Sequence, residues 1–263
     1  MIEPGPVICS IFVPMEHTAA DNAAGQPHFF EQGQVLMIDK PLDWTSFDVV
    51  KKLRWLVKTR KIGHAGTLDP LATGLLILCT GKYTKRINEY MAQEKEYTGT
   101  ITLGAKTPTY DLESQPVDQR DYSALTEADV TAVIAREFTG EIWQTPPIHS
   151  AIKKDGKRVY ELARAGKEVK LDPRRVTIKE FVLTDFRLPV LTFRVVCTTG
   201  TYIRSLANDL GAALGCGGYL SSLCRTRIGE FRLDQAMSMA EAEQYIEEKF
   251  AESDGPGRPD RSS

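Results

Sequence analysis

The segment GHAGTLDPLATGLLIL, residues 63–78, places a polar, glycine-rich loop directly before a run of apolar residues. The apolar run predicts a buried strand over residues 75–79. Pro70 disfavours a helical conformation at Asp69, so this carboxylate belongs to an extended or turn segment. The glycines of the loop permit close approach by another backbone or by a ligand. Asp69 is therefore either a turn-forming aspartate or a reactive group on a rigid support, and this segment alone does not decide between them.

The composition of the whole chain predicts a soluble globular protein of a reducing compartment. The 263 residues are 42% hydrophobic and 26% charged, which is ordinary for a globular domain. The five cysteines are scattered without a C-x-x-C pair, so neither a disulfide framework nor a zinc site is expected. No apolar run approaches the roughly 20 residues of a membrane span, and residues 7–13 are too short for a signal peptide. We expect a cytoplasmic protein that binds no membrane.

The charges are distributed unevenly along the chain. The net charge is −2, but residues 40–106 carry 12 basic and 6 acidic side chains, a local excess of 6. Residues 153–175 carry 9 basic and 4 acidic side chains, an excess of 5. Two basic segments on a near-neutral protein are typical of a positive face that binds nucleic acid. The alternative is an ordinary solvated, lysine-rich surface.

The order of predicted elements indicates an α+β fold with a mixed, largely antiparallel sheet flanked by helices. Helices are predicted within residues 43–59, 82–93, 125–140, 159–166, 201–215 and 238–250. Strands are predicted within residues 35–38, 75–79, 97–104, 174–187, 191–200 and 222–233, with a hairpin turn at Asp155 and Gly156. We expect a flexible extension over residues 1–32, one domain over residues 33–250 and a disordered tail over residues 251–263.

Four further side chains are candidates for a functional site. With Thr201 as the predicted N-cap, Arg204 falls in the first turn of a helix, where a cation opposes the helix dipole unless an anion answers it. Asp69 is a candidate for that anion. Tyr97 and Tyr202 are either partly buried sheet residues or stacking platforms for an unstacked base. His64 has no second histidine at ligand spacing, so it does not indicate a metal site.

Four segments together resemble the successive motifs of one enzyme family, the tRNA pseudouridine synthases of the TruB type. They are LMIDKPLDWTSFDVVKKLR, GHAGTLDPLATGLLIL, KEYTGTITLG and GTYIRSLANDLG, which follow one another in the family's order between residues 34 and 234. The resemblance implies the pseudouridine synthase catalytic fold. It also implies conversion of uridine 55 in the T loop of tRNA to pseudouridine, without metal or cofactor.

The resemblance assigns a role to each candidate residue. Asp69 matches the catalytic aspartate, Arg204 the arginine that pairs with it, and Tyr97 the tyrosine that stacks on the target base and takes part in proton transfer. The remaining matches belong to substrate binding. They are the site-lining Lys40 and Pro41, His64 in the gap left by flipped bases, Tyr202 packed nearby and Leu223 at the border of the base pocket.

The sequence departs from the best-known family members at its C-terminal end. Those members continue into an RNA-binding PUA domain, whereas 29 residues follow Asp234 here. We therefore expect no C-terminal PUA domain, no guide RNA and a monomer that binds the T stem-loop of tRNA.

Two other functions and three chemical steps stay open at this level. A tRNA-binding folding chaperone with dispensable catalysis would need no buried carboxylate, and a glycosidase would need two carboxylates flanking a bond. Within the isomerase hypothesis, Asp69 attacks C1′, attacks C6 of uracil, or removes the C2′ proton.

Overall fold

A computed structural model describes residues 27–148, the backbone of residues 153–154 and 157–158, and residues 171–254. The helices are α1 Phe29–Gln32, α2 Ser46–Leu56, α3 Ile87–Ala92, α4 Glu127–Glu137, α5 Ile203–Ala213 and α6 Met239–Asp254. The strands are β1 Val35–Lys40, β2 Ile62–His64, β3 Ala72–Thr80, β4 Lys95–Leu103, β5 Gly140–Gln144, β6 Lys153–Lys154, β7 Lys157–Arg158, β8 Arg174–Arg187, β9 Val190–Cys197, β10 Gly218–Ile228 and β11 Phe231–Arg232. Short 3₁₀ segments span Gly81–Arg86 and Leu233–Gln235.

One nine-stranded sheet organises the described chain. Its strand order is β1-β3-β10-β4-β9-β8-β5, with β2 paired to β3 and β11 paired to β10. β10 and β3 are parallel, and the other pairs of this sheet are antiparallel. The predicted mixed, largely antiparallel sheet is therefore confirmed. β10 lies between two strands that precede it by more than a hundred residues, so the C-terminal part of the chain completes the centre of the sheet.

The continuous apolar run after the glycine-rich loop is explained by the burial of β3 on both faces. Leu76 and Leu78 belong to a core formed with α1, α2 and α6. Leu75 and Ile77 point to the other side and pack with Tyr90 of α3. A strand covered on both faces has no polar alternation. A third core lies between α4, α5 and strands β4, β8, β9 and β10.

Two helices begin where the sequence predicted, because their caps are local. Thr45 accepts from the backbone N–H of Asp48, and the Asp48 carboxylate accepts from the backbone N–H of Thr45. Thr126 and Asp129 form the same reciprocal arrangement at α4. Each capping box satisfies two backbone donors that the first turn leaves unpaired. Of the two predicted cap residues for α2, Thr45 is the cap, and Ser46 is the first helical residue.

The predicted N-cap of α5 was wrong. The helix begins at Ile203 with Tyr202 in the cap position, and the Thr201 hydroxyl donates instead to the carbonyl of Thr198 at 2.9 Å. The buried Gln144 side chain accepts from the Tyr202 N–H at 2.7 Å and donates to the Tyr202 carbonyl at 3.0 Å. This contact from β5 sets where the helix begins, and no local pattern encodes it.

The predicted boundaries of the ordered domain were wrong at both ends. Phe30 lies in α1, inside the supposed extension, and is completely buried. α6 continues to Asp254, four residues beyond the predicted end. The rings of Phe30 and Phe250 pack with centroids 5.6 Å apart, so each end supports the other. β6 and β7 pair as the predicted hairpin requires, while its turn and the predicted helix at 159–166 lie outside the described residues. Within the described ranges no helix is long and apolar enough to cross a membrane.

Candidate active site

The centre of the candidate site is an ion pair between Asp69 and Arg204. Arg204 Nε lies 2.9 Å from Oδ2 of Asp69, and its Nη2 donates to Oδ1 at 3.0 Å. Arg204 is 4% exposed, whereas the Asp69 side chain is 37% exposed. The guanidinium is thus held inside the protein and orients a carboxylate that still reaches the surface. The anion that Arg204 was predicted to need is Asp69.

A second carboxylate, which the sequence analysis missed, contacts the same guanidinium. Asp111 Oδ2 lies 3.5 Å from Arg204 Nη1, and this nitrogen also donates to the carbonyl of Thr109 at 3.4 Å. Asp111 is 4% exposed, and its Oδ1 accepts from the backbone N–H of Glu113 at 3.0 Å. Its segment resembles an ordinary polar turn in the sequence. A bridge from Asp111 to Leu220 on β10 places it in the site.

The protonation of Asp69 reflects opposing influences. Burial of the carboxyl surroundings raises the pKa of Asp69, the Arg204 guanidinium lowers it, and the negative charge of Asp111 raises it again. The ammonium of Lys40 acts in the same direction as Arg204. Asp69 therefore holds its proton more strongly than an exposed aspartate does, and Arg204 limits this effect.

The loop that carries Asp69 is clamped by the start of α2. Ser46 is buried, its hydroxyl accepts from the backbone N–H of Leu68 at 2.8 Å, and it donates to the Leu68 carbonyl at 3.1 Å. On the other side of Asp69, the carbonyl of Pro70 accepts from the backbone N–H of Asp43 at 3.0 Å. The residues on both sides of the carboxylate are thus bound to one segment, which limits the movement of Asp69.

The Lys40-Pro41 motif forms part of this clamp. The buried Lys40 ammonium donates to the carbonyls of Pro41 at 2.8 Å, Trp44 at 2.5 Å and Pro70 at 3.4 Å. Burial lowers the pKa of Lys40 to about 8, with nearby Asp69 acting against this shift. The structure places the Lys40 ammonium behind the Asp69 loop, bonded to backbone, and Pro41 is partly buried beside it.

A small cleft opens at the Asp69–Arg204 pair. Leu223 borders it, because β10 runs parallel to β3 and sets Leu223 beside Ala72. The other lining residues are Leu71, Asp111, Leu112, Leu220, Ser221 and Ser222. Three charged side chains, Asp69, Arg204 and Asp111, thus meet a wall that is otherwise apolar or hydroxyl-bearing. In the described part of the chain no cluster of three or more His, Cys, Asp or Glu side chains could hold a metal ion.

Tyr97 lies on the strand next to the one that carries Leu223. It is partly buried on β4, in register with Arg225 of β10. Burial raises the pKa of Tyr97, and the positive charge of Arg225 opposes the shift. The negative charge of Asp69 also raises this pKa.

Arg225 is the second residue that the sequence analysis missed. It is 1% exposed, its Nε donates to the Leu75 carbonyl at 2.8 Å, and its Nη2 donates to the Gly66 carbonyl at 3.1 Å. A Cβ on Gly74, whose φ is +98°, would lie 2.4 Å from the Arg225 carbonyl oxygen. Glycine at 74 therefore permits the close strand contact that brings this arginine beneath the Asp69 loop.

His64 and Tyr202 are not among the residues that line this cleft. His64 ends β2, and burial, assisted by the charge of Arg225, lowers its pKa, which favours a neutral imidazole at neutral pH. The Arg174 guanidinium lies 4.6 Å from the centroid of the Tyr202 ring. Tyr202 immediately precedes the first turn of α5, from which Arg204 reaches Asp69.

Two family models together match most of the chain. The model described as TruB family pseudouridylate synthase (N terminal domain) matches residues 54–203. The chain belongs to the TruB family. A second model, the tRNA pseudouridylate synthase B C-terminal domain, matches residues 204–255. The boundary between the two TruB models falls inside α5, and β10 of the second part lies between β3 and β4 of the first.

Curated TruB relatives match over nearly their whole length. A tRNA pseudouridine synthase B of Flavobacterium johnsoniae is 50% identical over 228 residues, covering 84% of this chain and 99% of the relative. One of Parabacteroides distasonis is 48% identical, covering 83% of this chain and 95% of the relative. The enzyme of Chlorobaculum tepidum is 50% identical, covering 80% and 89%.

Solved structures of the same fold are more distant and larger. A chain of a Cbf5-Nop10-Gar1 complex is 30% identical with a TM-score of 0.65, covering 87% of this chain and 58% of that chain. A chain of an H/ACA RNP bound to a substrate RNA containing 2′-deoxyuridine is 26% identical with a TM-score of 0.62, covering 87% and 57%. This TruB chain thus spans less than three-fifths of the length of those two chains.

Proposed function

We propose that this protein isomerises uridine 55 in the T loop of tRNA to pseudouridine. The observation that carries the proposal is the Asp69–Arg204 pair, a partly exposed carboxylate held at both oxygens by a buried guanidinium. TruB relatives that are 46–50% identical are named tRNA pseudouridine synthase B, which supports the same reaction here.

Asp69 is the group that acts on the nucleotide in this proposal. The reaction breaks the bond between C1′ and N1 and joins C1′ to C5 of the same uracil. An ionised carboxylate can attack C1′, attack C6, or remove the C2′ proton, and each route needs the carboxylate free of its proton. Arg204 supports all three, because its charge favours the ionised form and its two contacts orient the oxygens.

The target base must leave the RNA stack to reach Asp69. Flipping a base costs a few kcal/mol, and stacking on an aromatic side chain returns roughly 1–3 kcal/mol. We assign that stacking role to Tyr97, with Leu223 at the border of the base pocket. A neutral His64 suits the gap left by the flipped base, since an uncharged ring can stack there without desolvating a cation. Tyr97 is also the candidate for proton transfer at C5.

The two competing functions are less compatible with this site. A folding chaperone that only binds tRNA has no need of a carboxylate aligned by a buried arginine. Asp69 and Asp111 do not suit a glycosidase, because both contact one guanidinium rather than flank an open bond. We further propose that the protein acts as a cytoplasmic monomer on the T stem-loop, without guide RNA.

Tritium release from tRNA transcripts that contain 5-tritiated uridine tests the proposal. Pseudouridine formation replaces the C5 hydrogen, so we expect about one equivalent of tritium per transcript with protein and tRNA alone. A matched transcript with cytidine at position 55 should release none. Absence of release from the uridine transcript, or equal release from both, would show the assignment to be wrong. Mapping pseudouridine in tRNA from cells with and without the gene provides the cellular counterpart.

A further inference from the structure

The outward face of α2 exposes large aromatic side chains that the catalytic site does not use. Val49, Val50 and Leu53 are buried on its inner face, whereas Phe47 is 59% exposed and Trp55 is 79% exposed. Successive residues four positions apart lie on one face of a helix, so Phe47, Lys51 and Trp55 form an aromatic–cation–aromatic line. Exposed aromatic groups of this size indicate a surface that binds a partner.

A shallow groove follows this helix. Trp44 and Trp55 line its two ends, with Lys51, Lys52 and Arg54 between them. Two acidic residues, Asp43 and Asp48, also line the groove at the end nearest the N-terminus of α2. The Asp48 carboxylate forms the capping box with Thr45, so it is already hydrogen-bonded at the start of α2. We call this groove, together with Phe47, the α2 surface.

The α2 surface lies in a basic stretch of the chain, and its groove is lined by three basic and two acidic side chains. Residues 47–61 contain six basic residues and one acidic residue, an excess of 5 on a chain whose net charge is −2. Lys52 contacts Glu243 of α6 at 3.0 Å, and the Lys58 ammonium lies 4.7 Å from the Phe250 ring centroid. Lys51, Arg60 and Lys61 are exposed. A positive surface with interleaved aromatic rings is complementary to a nucleic-acid strand. The cores of protein–protein interfaces are instead depleted of lysine.

The α2 surface begins at the catalytic loop. Ser46, the first residue of α2, is hydrogen-bonded to both backbone groups of Leu68, the neighbour of Asp69. Trp55 lies nine residues further, roughly 14 Å along the helix axis at 1.5 Å per residue. When the target nucleotide of an RNA strand lies at Asp69, a nucleotide one or more positions further along the strand is therefore within reach of this surface.

We propose that the α2 surface binds the stretch of tRNA that leads away from the target uridine. Lys51 and Arg54 contact its phosphates, and Trp55 stacks on an unpaired base. This proposal rests on the proposed function, because it takes tRNA as the bound molecule. It gives the protein a second area of RNA contact, separate from the cleft at Asp69.

Equilibrium binding of full-length tRNA to Trp55 and Lys51 variants tests the proposal. Loss of one base–aromatic stack should weaken binding of Trp55→Ala by about 5- to 150-fold. Trp55→Phe should retain most of the affinity, whereas Trp55→Leu, which is apolar but not aromatic, should behave like alanine. Lys51→Ala should reduce the slope of log affinity against log salt by about one. In turnover assays KM should rise with kcat nearly unchanged, because none of these groups touches the reacting atoms.

Arg136→Ala is the matched control, since Arg136 is an exposed cation on α4, a helix that packs against β8. It should leave tRNA affinity and the salt slope unchanged.

Unchanged tRNA affinity in Trp55→Ala, or full affinity in Trp55→Leu, would overturn the proposal. So would a change of oligomeric state in Trp55→Ala by sedimentation, which would assign the surface to a second copy. A gain in tRNA affinity on deletion of residues 1–26 would show that this segment occupies the α2 surface in place of tRNA. Binding needs no turnover, so failure of the proposed reaction would be seen separately, as missing tritium release.

Discussion

The guanidinium of Arg204 contacts both carboxylate oxygens of Asp69, from Nε at 2.9 Å and from Nη2 at 3.0 Å. The two residues are 135 positions apart, on the loop before β3 and on the first turn of α5. Two parallel contacts restrict rotation of the carboxylate as well as its position. The pair therefore favours the ionised form and restricts the orientation of the group that we assign to catalysis.

Asp69→Asn should abolish isomerisation and leave tRNA binding largely intact. The amide keeps the shape of the side chain but cannot act as nucleophile or base, so we expect a loss of at least about 10²–10⁴-fold. Tritium release in single turnover measures the chemical step, and filter binding measures affinity. Asp43→Asn is the matched control and should keep its activity, because Asp43 supports the loop through its backbone N–H. Undiminished release from the Asp69 variant would remove this residue from the mechanism.

Asp111→Asn should shift the acid limb of the pH–activity profile to lower pH. The negative charge of Asp111 raises the pKa of Asp69, and its removal also leaves Arg204 to act on Asp69 alone. The pKa of Asp69 then falls, so the ionised form persists at lower pH. The profile of kcat/KM measures this shift. Asp118 is an exposed aspartate of the same loop and pairs with Arg120. Its substitution, Asp118→Asn, should therefore leave the acid limb of the profile unshifted. A shift to higher pH would contradict the assigned interaction.

Ser46→Ala should lower activity through the position of Asp69. The variant loses both hydrogen bonds to the backbone of Leu68 and leaves two buried polar groups unpaired, which costs about 1–3 kcal/mol of stability for each group. We expect kcat to fall about tenfold or more, because small displacements of a catalytic group are costly. Denaturant unfolding measures stability, and single-turnover tritium release measures the chemical step. Equal kcat in variant and parent would show that the clamp does not position Asp69.

Lys40→Met should change the pH dependence of stability. The folded pKa of Lys40 is lowered to about 8 from its ordinary 10.5, so between those values the unfolded chain binds more protons than the folded one. The parent therefore gains free energy of unfolding as the pH rises above 8, by at most about 1.4 kcal/mol per pH unit. The variant lacks this gain and also loses three hydrogen bonds, so it should be less stable than the parent. The difference between their free energies of unfolding, which we call the gap, should widen from pH 8 to pH 10.

Urea unfolding at several pH values measures that gap. Lys51→Met, which changes an exposed lysine, provides the comparison and should show a constant difference from the parent. A gap for Lys40→Met that stayed constant or narrowed would contradict a buried, charged Lys40 in the folded protein.

Local structure could be predicted where the information lies within a few residues. The reciprocal Thr45–Asp48 and Thr126–Asp129 caps are encoded three positions apart, so both helix starts were predicted. The apolar run after the glycine-rich loop predicted a buried strand, since a strand covered on both faces shows no alternation. Asp69 was identified as a candidate by the same local reasoning, and its pairing with Arg204 by charge.

The order of the strands could not be predicted, and several residues of the site depend on it. β10 inserts between β3 and β4, which buries Arg225 in register with Tyr97 and sets Leu223 beside Ala72. In the sequence, Arg225 is one of several basic residues on a late strand and resembles a surface residue. Its burial follows from strand pairings that span more than a hundred residues.

The sequence by itself thus determined most of the local elements, the family and a candidate for the reactive carboxylate, because caps, periodicity and motifs are written in contiguous residues. Only the tertiary structure decided that Asp111 shares Arg204 with Asp69, that Gln144 sets the start of α5, and that Phe30 belongs to the core. Each of these contacts joins segments distant in the chain. Their formation depends on the packing and register of the whole sheet, which no short stretch of sequence encodes.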